Sequence, residues 1–333
     1  MRAHEPLVSV VIPCYNEGSN VALVYQQIKS VLEGLEPKLD YELIYVNDGS
    51  TDSTYQELER IANSDEVVRL LSLSRNFGKE IATTAGIRYA TGDVILTIDG
   101  DGQHPPELIP SFLAAWQAGG QVVIGVRTSN QKEGFTKHYG SKLFYRLLSK
   151  ISREPIVPGS TDFRLIDKAV QQEFIKLTEH NRMTRGLVDW LGFRRVFIPF
   201  KAKSRLSGKA TYSHRKLLQL AINGFVSSSL FPLYLSLYLG LIIVPLALIV
   251  GIFSGIEMLV GDPLSLRIHG TAFIAILILF SAGVLLISQG FIALYLSRVH
   301  TETQNRPLFV VDQTSSHNID LQEPKQPYSN ANS

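Results

Sequence analysis

The chain has 333 residues, of which 45% are hydrophobic and 19% charged, and its formal net charge is +2. That length suits one large domain or two smaller ones. The low charge and ample apolar content exclude a disordered chain and one that coats nucleic acid.

The predicted elements begin almost at once. The N-terminal MRAHEPLVSVVIP lacks the apolar run of a signal peptide. Residues 7–12 form a continuous apolar run closed by Pro13, the pattern of a strand buried on both faces. Val21, Val24, Tyr25, Ile28, Val31 and Leu32 then recur at helical spacing. A strand over 41–46 leads to the turn Asn47-Asp48-Gly49-Ser50, and a helix over 51–62 follows. Residues 67–73, 81–89, 94–98, 108–118 and 122–126 continue the alternation. Such a βαβ series predicts a mostly parallel sheet covered by helices, binding its ligand beyond the carboxyl ends of the strands.

Further along, residues 137–151 place Tyr139, Leu143, Phe144, Leu147, Leu148 and Ile151 on one helical face. Lys137, Lys142, Arg146 and Lys150 are interspersed, so this basic amphipathic helix suits a membrane interface or an apolar sheet face. A helix over 165–174, which Asp162 would precede as a cap, is one reading of the next segment. Residues 194–216 contain eight basic and no acidic residues, and 213–229 read as a second interfacial helix. Two long uncharged runs then follow: 40 residues between Lys216 and Glu257, and 27 between Gly270 and Arg298. Spans over 231–255 and 271–297 are each long enough to cross a bilayer, which needs about 20 apolar residues. Flanking basic charge puts both ends of this hairpin in the cytoplasm. The single Cys14 suits a reducing compartment. Beyond 298 the chain is polar and aperiodic, and 299–333 is expected to be a flexible tail. The expected division is thus 1–212, a cytosolic domain; 213–229, interfacial; 230–298, two membrane helices; and the tail.

The chemistry gathers past the strand ends. Strand one runs into Pro13-Cys14-Tyr15-Asn16-Glu17, strand two into Asn47-Asp48-Gly49-Ser50, strand three into Ser74-Arg75-Asn76-Phe77-Gly78-Lys79. Strand four ends in Asp99-Gly100-Asp101-Gly102-Gln103-His104. Each could be a turn or a helix cap taken singly, but together they would converge on one crevice. Two aspartates one residue apart can offer hard oxygen ligands to Mg²⁺, shared with substrate phosphates. No Walker lysine loop, no G-x-G-x-x-G and no Cys/His zinc spacing occurs.

These motifs, in this order, resemble the family 2 inverting glycosyltransferases, and the two-span C-terminus resembles their polyprenyl-phosphate branch, relatives of the dolichol-phosphate mannose synthases. The resemblance spans roughly residues 7–300 and implies the GT-A fold, a nucleotide-sugar-binding α/β sheet. It implies that Pro13, Tyr15, Glu17, Asp48 and Asp99 bind the nucleotide. It further implies that Asp99, Asp101 and Gln103 serve a divalent metal, Mg²⁺ or Mn²⁺. Asp162 matches the aspartate near the reacting sugar, and Arg127, Lys137, Ser141 and Arg205 match positions around the acceptor phosphate. The family's Ser/Thr-Lys-Tyr is replaced here by Lys209-Ala210-Thr211-Tyr212, so Arg205 is the firmer match and Lys209 the weaker.

The implied activity is transfer of a hexose, with UDP-glucose the favoured donor, to a polyprenyl phosphate in the bilayer. GDP-mannose and UDP-amino sugars are the alternative donors. The implied location is the inner (cytoplasmic) membrane, multi-pass, with the catalytic domain facing the cytoplasm; self-association is compatible with the exposed anchor, and no nucleic acid is implied. A processive polysaccharide synthase is disfavoured because Trp116 and Trp190 lie outside any Gln-x-x-Arg-Trp context. A non-catalytic membrane scaffold is disfavoured by the intact Asp99, Asp101 and Asp162.

Overall fold

The computed structural model describes residues 6–128, 157, 159–180, 182–201, 238, 242–243, 245–246, 249, 252, 256, 270–304 and 306–321. The chain divides into two compact units: Met1–Tyr145, Glu154–Ala210 and Arg306–Ser333 make one, and Arg146–Arg153 with Thr211–Asn305 make the other.

The first unit is built on one mixed sheet. Its strands are β1 (Val8–Cys14), β2 (Tyr41–Asn47), β3 (Val68–Ser72), β4 (Val94–Thr97), β5 (Val122–Arg127), β6 (Ser160–Asp167) and β7 (Arg195–Phe200). They lie in the order β3-β2-β1-β4-β6-β5-β7. β1 pairs in parallel with β2 and β4, and β2 with β3, as the βαβ alternation predicts. β6 runs antiparallel between β4 and β5, and β5 pairs in parallel with β7.

Among the described residues of this unit, helices α1 (Val21–Glu33), α2 (Thr54–Ser64), α3 (Lys79–Tyr89), α4 (Ile109–Gln117), α5 (Lys168–Phe174) and α6 (Thr184–Trp190) accompany the strands. Alternate strand residues point to opposite faces, so β1 supplies both cores. Val8, Val10 and Ile12 pack with α1, α2 and α4 residues such as Ile28, Leu58 and Phe112. Val11 packs with Ala82, Ala85, Val170 and Val188 on the other side. Gly86 lets α3 come close, because a Cβ there would lie 2.3 Å from Val11 Cγ1.

Two segments depart from the sequence reading. Residues 160–167 form β6, so Asp162 sits in a strand and the helix starts only at Lys168. Asp167 is the true cap, accepting from the Ala169 amide, while Trp116 Nε1 donates to its other oxygen at 2.7 Å. The second departure is the C-terminus: residues 306–321, expected to be part of a flexible tail, lie along the free edge of β3. Leu73 bridges Val311 and Leu70 bridges His317, both antiparallel. Backbone hydrogen bonding, which composition does not report, holds them together with the side chains of Phe309, Ser316 and Asn318.

In the second unit, α7 (Gly270–Thr303) covers the expected second span. Its Phe280–Thr303 stretch is the one described helix long and apolar enough to cross a membrane, and none of its most apolar window is buried. Of the expected first span, Tyr238, Ile242, Ile243, Pro245, Leu246, Ile249 and Ile252 are described; they are helical, and all but the half-buried Ile243 are exposed. The interfacial helices expected over 137–151 and 213–229 lie outside the described residues.

Candidate active site

The loops that leave β1, β2, β3 and β4 at their carboxyl ends are tied to one another. Asn16, in the left-handed region at φ 56°, donates its amide to Ser50 Oγ (3.1 Å) and accepts from the Thr51 amide (2.9 Å). The Glu17 amide donates to Thr54 Oγ1 at 2.8 Å. Tyr15 is exposed beside these contacts, and Pro13 is half-buried between the buried Ile12 and Cys14 at the end of β1.

Asp48 is only 1% exposed. Its two carboxylate oxygens accept the Phe77 amide (2.7 Å) and the Gly78 amide (2.9 Å). Burial raises its pKa above the ordinary carboxylate range, against the lowering effect of those two amides. Asp48 therefore fixes the loop after β3. Gly49 follows at φ +61°, and a Cβ there would sit 2.4 Å from the Arg75 carbonyl carbon, so only glycine lets the two loops approach this closely. On the far loop, the Arg75 guanidinium lies 4.0 Å from the centre of the Phe77 ring, a cation–π arrangement.

Among these loops a cation lies between two carboxylates. Lys79, the first residue of α3, places its ammonium 2.7 and 2.9 Å from the two Asp99 oxygens and 3.0 Å from Asp162 Oδ2. Burial acts to lower the Lys79 pKa, but the charges of Asp99 and Asp162 outweigh it and raise it overall. Burial acts to raise Asp162, and Lys79, helped by Arg185 and Arg164, holds it below the usual carboxylate range. The other Asp162 oxygen, Oδ1, is buried and has no hydrogen-bond partner among the described residues.

β6 delivers Asp162 to this point. Thr97 Oγ1 of β4 donates to the Asp162 carbonyl at 2.5 Å, and Thr161 Oγ1 donates to the Gly125 carbonyl at 2.8 Å. Arg164, two residues on, is buried and paired with Asp189 at 2.8 Å.

The Asp99–His104 segment is a tight turn. Asp101 accepts the Gln103 amide at 3.0 Å, and the Asp99 amide donates to His104 Nδ1 at 3.2 Å. His104 stacks on Phe163 with ring centroids 5.1 Å apart, and burial lowers its pKa first of all. A neutral imidazole accepting at Nδ1 thus supports the turn. Gly100 passes over Cys14, where a Cβ would meet Sγ at 3.0 Å.

The structure thus brings Asp99 and Asp162 together through Lys79, and places Asp101 and Gln103 on the adjoining turn. Arg127 is exposed at the end of β5, its amide held by the Gly159 carbonyl at 2.8 Å. Lys137, Ser141, Arg205 and Lys209 lie outside the described residues. Lys79 is the residue to which sequence reasoning gave no role; its signal was its place at the end of the Ser74–Lys79 motif.

No cluster of three or more Asp, Glu, His or Cys among the described residues could enclose a metal alone. Asp99 and Asp101 nevertheless offer hard oxygens on a strand end, with the partnerless Asp162 Oδ1 in the same site. Such a donor set fits Mg²⁺ or Mn²⁺ shared with a substrate's phosphates, the usual way of holding these ions.

Fold and site together define an α/β enzyme in which Asp99 and Asp101, past the end of β4, lie beside Asp162 of β6. The chain belongs to glycosyl transferase family 2, whose model matches residues 9–174, and it is a glycosyltransferase. It is 39% identical to a glycosyltransferase of Synechocystis over 91% of this chain and 94% of that one. It is 34% identical to the bactoprenol glucosyl transferase of Shigella phage SfII over 93% of this chain and 99% of that one. Among solved structures it is similar to a mannosyltransferase of Pyrobaculum calidifontis in complex with GDP-Man and Mn²⁺. That similarity has a TM-score of 0.44 and 19% identity, over 62% of this chain and 59% of that one.

Proposed function

We propose that the chain transfers glucose from UDP-glucose to a polyprenyl phosphate at the cytoplasmic face of the inner membrane. The observation that carries this reading is the near-full-length similarity to a bactoprenol glucosyl transferase, on a chain whose acidic crevice is intact. In this reading Pro13, Tyr15 and Glu17 line the base and ribose. Asp48 acts on the nucleotide through the 77–78 amides that it anchors. Asp99 and Asp101, with Gln103, would hold the divalent metal, which supplies Lewis-acid stabilisation of the leaving diphosphate.

The acceptor sets what the protein must do. A phosphate monoester has its second pKa near ~6, so it is largely dianionic at neutral pH and needs little deprotonation. The harder tasks are to hold two anions together and to meet positive charge on the sugar ring. Arg127, with Arg205, Lys137 and Ser141, answers the first through charge-assisted hydrogen bonds. Asp162, kept ionised by Lys79, answers the second and orients the acceptor.

The chain's course supports the membrane anchoring in this reading. The polypeptide leaves the sheet-bearing unit after Ala210 and returns to it at Arg306. A domain on one side of a membrane requires an even number of crossings in between. With α7 as one crossing, the apolar run between Lys216 and Glu257 supplies the other, which supports a two-span hairpin.

The test is a donor panel. Purified protein with Mg²⁺ or Mn²⁺ is expected to release nucleoside diphosphate fastest from UDP-glucose. That release should rise at least tenfold when undecaprenyl phosphate is added. Stimulation with GDP-mannose or a UDP-amino sugar alone would replace the donor assignment, and release indifferent to the lipid would remove the acceptor.

A further inference from the structure

β3 is the outer strand on its side of the sheet, and an open edge presents a row of unpaired amides and carbonyls. The C-terminal strap fills that row. Leu70 N donates to the His317 carbonyl (3.0 Å), Ser72 N to Ser316 Oγ (3.1 Å) and Ser74 N to the Val310 carbonyl (2.9 Å). In return, the His317 and Asp312 amides donate to the Leu70 and Ser72 carbonyls at 2.9 and 2.8 Å. Between the two bridged ends the strap turns on itself, with Asp312 accepting from the amide and hydroxyl of Thr314 and from Ser315.

Side chains lock the strap to three elements. Phe309 is buried, its ring 6.4 Å from that of Tyr89 at the end of α3. Asn318 Nδ2 donates to the carbonyls of Ala62 in α2 (2.7 Å) and Val68 in β3 (3.1 Å). In sequence the strap begins three residues after α7 ends.

Ser74 is where β3 gives way to the 74–78 loop. That loop is pinned at its start by Val310 and at its finish by Asp48, and the Arg75–Phe77 pair lies between the two. We propose that residues 306–321 position this loop for the nucleotide, so that donor affinity is set partly by a segment more than 220 residues away in sequence. The inference rests on the reading of the crevice as a nucleotide-sugar site.

The two failures separate in one experiment on full-length protein. UDP affinity, and KM and kcat with donor and acceptor, are measured for wild type, Phe309→Ala, the milder Asn318→Ala and the conservative Phe309→Leu. Hydrogen exchange at residues 70–78 is followed in parallel. For Phe309→Ala the expected result is a rise of about tenfold in donor KM and UDP Kd, with kcat at saturating donor within twofold and faster exchange at Ser74, Phe77 and Gly78. Asn318→Ala should show the same pattern at about threefold, and Phe309→Leu should recover most of the affinity. A merely structural strap would lower the active fraction, reducing kcat with KM unchanged, and that result overturns the proposal. So does UDP affinity within twofold of wild type when exchange at 70–78 has accelerated. Wild type that binds no nucleoside diphosphate would instead overturn the crevice reading, and the positioning role with it.

Discussion

Asp162→Asn is expected to lower kcat by roughly 10²- to 10³-fold, the scale seen when a preorganised electrostatic group is removed from a transition state. Asparagine keeps the size and hydrogen-bonding reach of the side chain but not its charge. β6 holds the backbone in place through Thr97 and Thr161, so the substitution should leave the fold intact. Lys79 retains Asp99 as a partner, and UDP affinity should stay within about threefold. A buried acceptor without a partner, as Asp162 Oδ1 is, costs about 1–3 kcal/mol. Such a cost is understandable where the atom meets a ligand group during turnover. Steady-state kinetics with saturating donor and polyprenyl phosphate measure the effect. Near-normal turnover with unchanged metal dependence would remove Asp162 from the chemistry.

Lys79→Met carries the second large effect. The methionine keeps the apolar stem but leaves Asp99 and Asp162 facing each other without the cation that now touches both. Like charges in one site push one carboxyl toward its neutral form. Burial already favours that form at Asp162, and Lys79 is the largest influence opposing it. The sign is therefore fixed: wild-type Asp162, with a lowered pKa, keeps its charge as pH falls until below the ordinary carboxylate range, and the variant should take up a proton at higher pH. The acid limb of the kcat/KM profile is expected to move up by about one pH unit, with kcat/KM at neutral pH down about 100-fold. The linked stability follows the same sign. The pairing contributes above the unfolded carboxyl pKa near ~4 and is lost as pH falls through the lower folded value, and the variant lacks it. Lys79→Arg should keep the acid limb near its wild-type position. An unmoved acid limb in Lys79→Met would show that the ammonium does not govern Asp162.

The parallel half of the sheet was legible in the sequence because its strands are short, apolar and separated by helices of clear period. The residues past β1 to β4 were legible as site candidates for the same reason, since topology sends every parallel strand end to one side. β6 was not. Phe163, Leu165, Ile166, Val170 and Phe174 satisfy helical spacing as well as they satisfy a strand followed by a helix. The buried Arg164 in that strand has its charge met by Asp189, 25 residues away, and donates further to the Thr161 and Arg185 carbonyls. The strap was not legible either. Main-chain hydrogen bonds hold much of it, and every residue but proline offers those alike, so its polar composition read as solvent-facing. Lys79 stood in a quoted motif without a role because its partners lie 20 and 83 residues away, a juxtaposition that only the folded sheet creates.

The central claim is that this crevice joins a sugar to a lipid phosphate. The most direct measurement incubates the purified protein with UDP-[¹⁴C]glucose, undecaprenyl phosphate and Mg²⁺ or Mn²⁺, and follows label into the organic phase. A lipid-linked product that is acid-labile, requires the divalent cation and disappears with Asp162→Asn is the predicted result. Label that stays in the aqueous phase with every nucleotide sugar tried, from protein that is folded and binds nucleotide, would contradict it.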